Sequence, residues 1–313
     1  METKHSNKGF KYGLSFGNIS YQVICNFILI TFTILCIYPF YYLLINSISA
    51  NNLSAQGQIN FLPQEIHFTN YMTIFRLRGL ARAAQVSVMR TVLGTVIPVI
   101  VSAYMGYMFT KPMWGRKFWY RFVVASMYFH AGLIPFFLTI MNLGLLNNFW
   151  VYIIPGIMQP FSILLVKTFI ESTPESLQEA AEIDGAGTIK IFFYVMLPII
   201  KPILATIAIF AAVGQWNAFM DTVLYITNEE YFTLQFVLHR YLSQAGVLAR
   251  MIQQGGGVGT IDVGALAVQA ATQQTTTSVR MTITIVVTFP ILLVYPFFQK
   301  YFTQGIMIGA VKG

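Results

Sequence analysis

The chain has 313 residues, of which 56% are hydrophobic and only 10% are charged, whereas soluble domains carry about 25% charged residues. This composition excludes an ordinary water-soluble globular domain, because most of the surface must face something less polar than water. The formal net charge is +8, but no basic run is interleaved with aromatic residues, so we expect no nucleic-acid partner. We therefore predict an all-α membrane protein.

The N-terminal segment, residues 1–21, is basic and leads into a long apolar run. A signal peptide begins in the same way, but its apolar core is only about 7–15 residues long. The run from Val23 to Ser47 is longer, so it predicts a retained membrane helix. Cys25 and Cys36 both lie in this run, and we interpret them as small apolar residues rather than as a disulfide.

Six apolar runs are long enough to cross about 30 Å of hydrocarbon as helices. They lie near residues 22–48, 84–109, 118–141, 149–170, 199–222 and 280–304. The third and fourth runs are joined by the polar sequence NLGLLNN, which predicts a tight turn between antiparallel helices. The predicted transmembrane domain therefore covers residues 22–304.

The lysines indicate how these helices are oriented, because basic residues accumulate in cytoplasmic segments. With the N-terminus in the cytoplasm, the cytoplasmic segments are residues 1–21, 110–117, 171–198 and 305–313. Every lysine then falls in one of these segments or at its edge: Lys4, Lys8, Lys11, Lys111, Lys117, Lys167, Lys190, Lys201, Lys300 and Lys312. We predict a six-helix bundle with both termini in the cytoplasm and two large extracytoplasmic loops, residues 49–83 and 223–279.

The second extracytoplasmic loop contains the sequences QQGGGVGT and VQAATQQTTTSV. Its glycines indicate a flexible connection, and it has no lysine that could contact a phosphate. The whole chain also lacks the G-x-x-x-x-G-K-[ST] and H-E-x-x-H motifs and a pair of cysteines at metal-ligand spacing. We therefore expect no catalytic residue, no bound metal and no cofactor in this chain, and any ATP must be bound by another polypeptide.

The cytoplasmic loop 171–198 contains the sequence EAAEIDGAGTIKIFFYVMLP. Ser172 or Thr173 is a suitable N-cap residue, with Pro174 in the first helical turn. Ser172 and Glu175 also fit a capping box. These residues predict a short helix in the first half of the loop.

This helix is expected to end near Ile183, because Asp184-Gly185 is a strong turn signal. A second short helix should follow, with apolar residues at helical spacing: Ile189, Phe192, Phe193 and Met196. Small residues and carboxylates on such a loop suit the docking of a separate cytoplasmic protein. A loop that merely connects two membrane helices fits the spacing equally well.

The loop resembles the signature of the membrane subunits of binding-protein-dependent ABC importers, which is Glu-Ala-Ala, three residues, Gly, nine residues, Ile or Val, one residue, Leu-Pro. This chain has Glu179-Ala180-Ala181, Gly185, Val195 and Leu197-Pro198 at those spacings. The sequences STPESLQEAAEIDGAG and LPIIKPILATIAIFAAVGQWNAFMDTVLY look like the carbohydrate-uptake branch, similar to the smaller subunit of the maltose permease. The C-terminal VRMTITIVVTFPILLVYPFFQKYFTQGIMIGAVKG looks like the lipoprotein-type or complex oligosaccharide permeases.

The resemblance implies the six-helix bundle of a type I ABC importer permease in the bacterial cell membrane. In that family the loop is a coupling helix seated on the ATP-hydrolysing subunit. The residues implied in this contact are Glu179, Ala180, Ala181, Asp184, Gly185, Leu197 and Pro198. The implied partners are a second homologous permease subunit, two ABC ATPase subunits that bind ATP and Mg²⁺, an extracytoplasmic solute-binding lipoprotein and an oligosaccharide.

Polar groups at bilayer depth are costly and tend to face an interior path. The candidates for the substrate path are two residues of the third helix and three of the fifth: Tyr128, His130, Gln215, Trp216 and Asn217. Two of them have alternative roles. Trp216 could be an interfacial anchor, and Asn217 could bond to a neighbouring helix.

Arg90 and Arg280 lie near the outer ends of the second and sixth predicted helices, where they could extend to the interface or contact an acidic sugar. The sequence EEYFTLQFVLHRYL fits a dock for a solute-binding protein as well as a lid. Two other functions stay open. The chain could carry an amino acid or peptide, or it could be a membrane scaffold that transports nothing.

Overall fold

The computed structural model describes residues 16–76, 79–129, 131–253 and 277–293. Within these ranges the chain is helical and contains no strand, which confirms the all-α prediction. The helices are α1 (Phe16–Ser47), α2 (Asn51–Ala55), α3 (Thr69–Phe75), α4 (Leu80–Met108), α5 (Arg116–Ser126), α6 (Leu133–Asn142), α7 (Pro160–Glu171), α8 (Ser176–Ile183), α9 (Thr188–Ile191), α10 (Leu197–Ile199), α11 (Lys201–Asn217), α12 (Met220–Tyr225), α13 (Leu234–Gln253) and α14 (Thr277–Leu293). Short 3₁₀ turns lie at Phe149–Tyr152, Ile154–Gly156 and Glu229–Tyr231, and a π-helical turn at Phe192–Met196 joins α9 to α10.

Two helices among the described residues are long and apolar enough to cross a membrane alone, Ser20–Ser47 within α1 and all of α4. Two more crossings are counted if each bent pair of helices forms one: Phe149–Gly156 with α7, bent by 45°, and Thr188–Ile199 with α11, bent by 79°. The described residues thus support two to four crossings. The six crossings and the cytoplasmic termini stay predictions, and the end of the sixth predicted helix lies outside the described residues.

Prolines lie at the helix starts in the regions predicted as the third, fourth and fifth membrane helices. The run 118–141, expected as one helix, forms α5 and α6, and Pro135 lies in the first turn of α6. Similarly, Pro160 begins α7 and Pro202 lies in the first turn of α11. Proline lacks an N–H and its ring collides with the carbonyl four residues earlier, so each of these positions favours a helix start. Proline does not always break a helix here, since Pro98 lies inside the continuous α4.

Helix α4 is the central element, because both α7 and α11 pack along it. Gly106 of α4 lies against α7, where an added Cβ would stand 2.7 Å from Val166 Cγ1 and 3.1 Å from the backbone nitrogen of Lys167. Small residues allow such close backbone approach between membrane helices. A side chain at residue 106 would therefore push α7 away from α4.

Among the described residues, the cluster with the most buried apolar side chains joins α4 and α7 to the chain after α8. Phe192 of the π-helical turn is 1% exposed, and its ring lies 5.3 Å from that of Tyr104 and 5.4 Å from that of Tyr107. Met196 and Ile200 are buried in the same cluster. The loop between α7 and α11 is thus attached to α4 by an aromatic core.

The expected capping of the loop helix was wrong. Ser172 and Thr173 instead close the C-terminal end of α7, because their hydroxyls donate to the carbonyls of Phe169 and Ile170 at 2.7 and 2.6 Å. Helix α8 begins at Ser176 without a side-chain cap. The same hydroxyl group can cap a following helix or bond back to a preceding turn, and the sequence does not distinguish the two.

Candidate functional sites

The first candidate site is α8 together with the turn that ends it. Gly185 has φ of +75°, in the left-handed region. Its N–H donates to Glu182 O and the N–H of Ala186 donates to Ala181 O, both at 3.0 Å. This pair of bonds is the Schellman motif, which ends helices where glycine can adopt a positive φ. The predicted turn at residues 184–185 is confirmed.

One side of α8 contacts other parts of the chain, and its other sides are exposed. No residue of α8 is buried, and Ile183 is 86% exposed. Ala181 and Ala186 pack against the cluster around Phe192, and Glu182 Oε1 accepts from Lys111 Nζ at 2.7 Å. The helix is therefore anchored while it presents an exposed surface.

The residues implied in ATPase contact divide between these two sides. Ala181 and Leu197 lie partly buried against the aromatic cluster. The others are exposed: Glu179, Ala180, Asp184, Gly185 and Pro198. Glu179 has no ion pair within the described part of the chain, in contrast to Glu182. We call the exposed set, with Ile183, the α8 surface.

The second candidate site lies at the other end of α4, around Arg90. This residue is 2% exposed. Its Nη1 donates to Asp221 Oδ1 at 3.0 Å and to Ala218 O at 3.1 Å, its Nη2 is paired with Asp221 Oδ2, and its Nε donates to Gln215 Oε1 at 2.9 Å. A buried guanidinium requires such partners, because an unpaired charge is costly in an apolar interior.

Tyr152 extends this network. The Arg90 guanidinium carbon lies 4.4 Å from the centre of the Tyr152 ring, within the range of a cation–π interaction. The Tyr152 hydroxyl donates to Tyr231 O at 2.7 Å and lies 2.9 Å from Thr222 Oγ1. The network therefore ties α4 to the chain on both sides of α12, at the end of the bundle that is predicted to face outwards.

A cavity of about 310 Å³ opens beside Arg90. Its walls come from α4, α7 and α11, and combine polar groups with aromatic rings: Arg90, Gln159, Ser162, Gln215, Phe161 and Phe210. Amide and hydroxyl groups can bond to sugar hydroxyls, and aromatic faces can contact the apolar side of a sugar ring.

The substrate-path residues named from the sequence do not all meet at this cavity. Gln215 lines it, whereas Tyr128 is 79% exposed, outside the lining. Trp216 packs against α14, since its Nε1 donates to Val287 O at 3.0 Å. Asn217 and Arg280 are exposed, and His130 lies outside the described residues. Their roles in transport stay predictions.

Asp221, Gln159 and Ser162 were not identified from the sequence. Asp221 had a usable signal, since a carboxylate at the end of an apolar run needs a partner. The partner could not be named, because Arg90 and Asp221 are 131 residues apart in the sequence. Gln159 and Ser162 resemble the many other polar residues near helix ends and carried no particular signal.

The sequence of the chain and its fold match known proteins. Residues 97–308 match the family described as "Binding-protein-dependent transport system inner membrane component". The polygalacturonan/rhamnogalacturonan transport system permease protein YtcP of Bacillus subtilis is 32% identical over 91% of this chain and 96% of its own length. Protein LplC of the same organism is 34% identical over 88% of this chain and 90% of its own length.

A solved structure is also similar. It is a chain of a bacterial ABC transporter involved in the import of the acidic polysaccharide alginate, with a TM-score of 0.81 and 28% identity over 92% of this chain and 98% of that chain. The family match and these relatives cover most of the sequence, and the apolar helices fit a membrane location. The chain is therefore a cell-membrane protein that belongs to the family of binding-protein-dependent transport system inner membrane components.

Proposed function

We propose that the chain is one permease subunit of an ATP-driven importer for oligosaccharides or polysaccharide fragments. It would form half of the translocation path, beside a second homologous permease subunit. Two ABC ATPase subunits would bind ATP and Mg²⁺ and hydrolyse the ATP, and an extracytoplasmic lipoprotein would deliver the solute. This chain would bind no cofactor of its own.

The observation that carries the proposal is the α8 surface. Helix α8 is exposed, ends in a Schellman motif and is held against α4 by an aromatic core. It can therefore transmit a displacement as a rigid element. Closure of the ATPase subunits would move it, and α4 would move with it because Phe192 is wedged between Tyr104 and Tyr107. Glu179 would form a charge-assisted contact with a basic group of the ATPase.

The cavity beside Arg90 supports a saccharide as the solute. Amide, hydroxyl and aromatic groups share its walls, which is the mixture that sugar recognition requires. Two similar proteins are named for polygalacturonan/rhamnogalacturonan transport and for import of the acidic polysaccharide alginate. Because Asp221 already balances the charge of Arg90, we expect the cavity to contact sugar hydroxyls mainly through Gln159, Ser162 and Gln215.

The test is uptake by the whole transporter, reconstituted in liposomes with its ATPase and binding protein. Glu179→Lys and Gly185→Asp should abolish ATP-dependent uptake of oligogalacturonides while the protein still inserts. Two matched controls lie close by. Glu182→Gln removes a carboxylate that already has an internal partner, and Gly187→Ala adds a side chain where φ is −71° and no atom lies within 4 Å. Both should keep most of the uptake.

Normal uptake by Glu179→Lys and Gly185→Asp at normal expression would contradict the coupling role of α8. A transporter whose ATPase responds to amino acids or peptides, and not to oligogalacturonides or neutral oligosaccharides, would contradict the saccharide. Stable copurification with a protein that is not an ATPase would favour the scaffold instead.

A further inference from the structure

The chain folds back along α1 after that helix ends. It passes through α2 and then returns, so that three consecutive carbonyls, those of residues 59–61, accept hydrogen bonds from side chains of α1. The pairs are Asn46 Nδ2 to Ile59 O at 3.2 Å, Tyr38 Oη to Asn60 O at 3.2 Å and Tyr41 Oη to Phe61 O at 2.5 Å. We call residues 59–62 the loop tip.

The positions of the donors fix the depth of the loop tip. Tyr38 and Tyr41 precede the end of α1 at Ser47 by nine and six residues, which corresponds to about 9–14 Å along the helix. The apolar helix Ser20–Ser47 has 28 residues, about 42 Å, against about 30 Å of hydrocarbon. If the excess is shared between the two ends, the loop tip lies at or just inside the hydrocarbon boundary.

The side chains of the loop tip suit that depth. Phe61 and Leu62 are each 72% exposed, and the Phe61 ring lies 6.1 Å from that of Tyr38. Their apolar surface is therefore continuous with the exposed apolar surface of α1. In the 18-residue stretch of α1 that qualifies it as a membrane span by hydropathy, no residue is buried. The exposed polar residues Gln58, Gln64 and Glu65 flank the tip, as expected where a chain enters and leaves the headgroup layer.

The backbone of the loop tip is also adapted to a dry environment. Non-helical backbone near the hydrocarbon needs partners for its carbonyls, because water is scarce there. Tyr38, Tyr41 and Asn46 provide these partners from a membrane helix. The bond from Asn46 is buried within the protein, whereas the two tyrosine bonds lie on the exposed side, where lipid would offer these carbonyls no other donor.

We propose that Phe61 and Leu62 insert among lipid acyl chains, at the headgroup boundary of the leaflet in which α1 ends. The loop tip thereby anchors the segment that follows α1 to the membrane surface. Tyrosine is common at this boundary, and apolar side chains enter it to a depth of about 5–10 Å. The anchor involves neither the α8 surface nor the cavity beside Arg90, so it does not depend on the proposed function.

Spin-label accessibility tests the anchor on the full-length protein, with the subunits that copurify with it, in liposomes of phosphatidylethanolamine and phosphatidylglycerol. Cys25 and Cys36 are first replaced by alanine, and single cysteines are then labelled at residues 61, 62, 56 and 65. For each label, the quantity measured is the ratio of its collision rate with oxygen to its collision rate with a water-soluble nickel chelate. This ratio should be at least about threefold higher at residues 61 and 62 than at Gln56 or Glu65. Replacement of the two tyrosine donors, Tyr38→Phe with Tyr41→Phe, should reduce this ratio at residue 62.

Tyr42→Phe is the matched control, because the Tyr42 hydroxyl has no bond to the loop within the described structure, and it should leave the ratio unchanged. The proposal is overturned if residues 61 and 62 favour the nickel chelate as strongly as Gln56 does, which would place them in water. It is also overturned if they are inaccessible to both reagents, which would place them under another protein subunit.

Discussion

Arg90 carries a positive charge into the interior of the helix bundle, and four neighbours make this possible. Asp221 balances the charge, Gln215 and Ala218 O each accept a further N–H group, and the Tyr152 ring covers one face. Removing one member of a buried ion pair usually costs about 3–5 kcal/mol, because the other charge is left without a partner. The side chain of Asp221 is 25% exposed, so we expect the lower end of this range.

We predict that Asp221→Asn lowers the free energy of unfolding by about 3 kcal/mol, seen as a lower Tm of the protein in detergent. The double variant Arg90→Met with Asp221→Leu should be less destabilised than the sum of its single variants, because no buried charge remains. The pair of Lys167 with the half-exposed Glu171 is the control, and Glu171→Gln should cost less than about 1 kcal/mol. Additive effects of the Arg90 and Asp221 variants would show that the two side chains are not coupled.

Single residues differ in how far the sequence predicts them. Gly185 was identified from its turn chemistry and from the spacing of the family signature, both of which are local in the sequence. The pairing of Arg90 with Asp221 depends on how α4 packs against the start of α12, and no local pattern contains that information. The capping prediction for Ser172 and Thr173 failed because a hydroxyl at a helix boundary can serve either neighbour.

At the scale of elements, the π-helical turn after α9 connects the α8 surface to the core. Phe192 points into the cluster and is 1% exposed, whereas Phe193 is 50% exposed. A π turn shifts the register of the side chains that follow it. Here it places Phe192 and Met196 in one buried cluster with Ile191 and Ile200.

We predict that Phe192→Ala lowers the free energy of unfolding by about 3–5 kcal/mol, because it leaves a cavity between Tyr104 and Tyr107. The neighbouring Phe193→Ala should cost much less in the isolated subunit, since that ring is largely exposed. Thermal unfolding of both variants in the same detergent compares them. Equal losses of stability would contradict the role assigned to the buried ring.

The apolar runs were placed correctly for α1 and α4, which are continuous helices. The runs assigned to the third, fourth and fifth helices contain breaks in the helix, because hydrophobicity measures burial in the membrane and not the continuity of the backbone. Pro135, Pro160 and Pro202 mark the starts of the segments that resulted. Proline inside α4 shows why composition alone does not locate such breaks.

At the scale of the whole molecule, α4 links the two candidate sites. Tyr107 holds the loop that carries α8, and Arg90 lies 17 residues earlier in the same helix, which is about 25 Å along its axis. Helices α7 and α11 pack on α4 between these two ends. A displacement of the α8 surface would therefore reach the cavity through a single rigid element.

At the same scale, photocrosslinking from the α8 surface tests whether this surface docks on an ABC ATPase. The photoreactive residue p-benzoylphenylalanine replaces Ile183, which is 86% exposed, in the full transporter in its native membrane. The control replaces Gln56, an exposed residue of the segment predicted to lie on the opposite side of the membrane. If α8 docks on the ATPase, residue 183 forms a covalent adduct with the ATPase subunit, identified by mass spectrometry, and residue 56 forms none. Absence of an ATPase adduct at residue 183 in a complex that contains the ATPase would contradict the docking of α8.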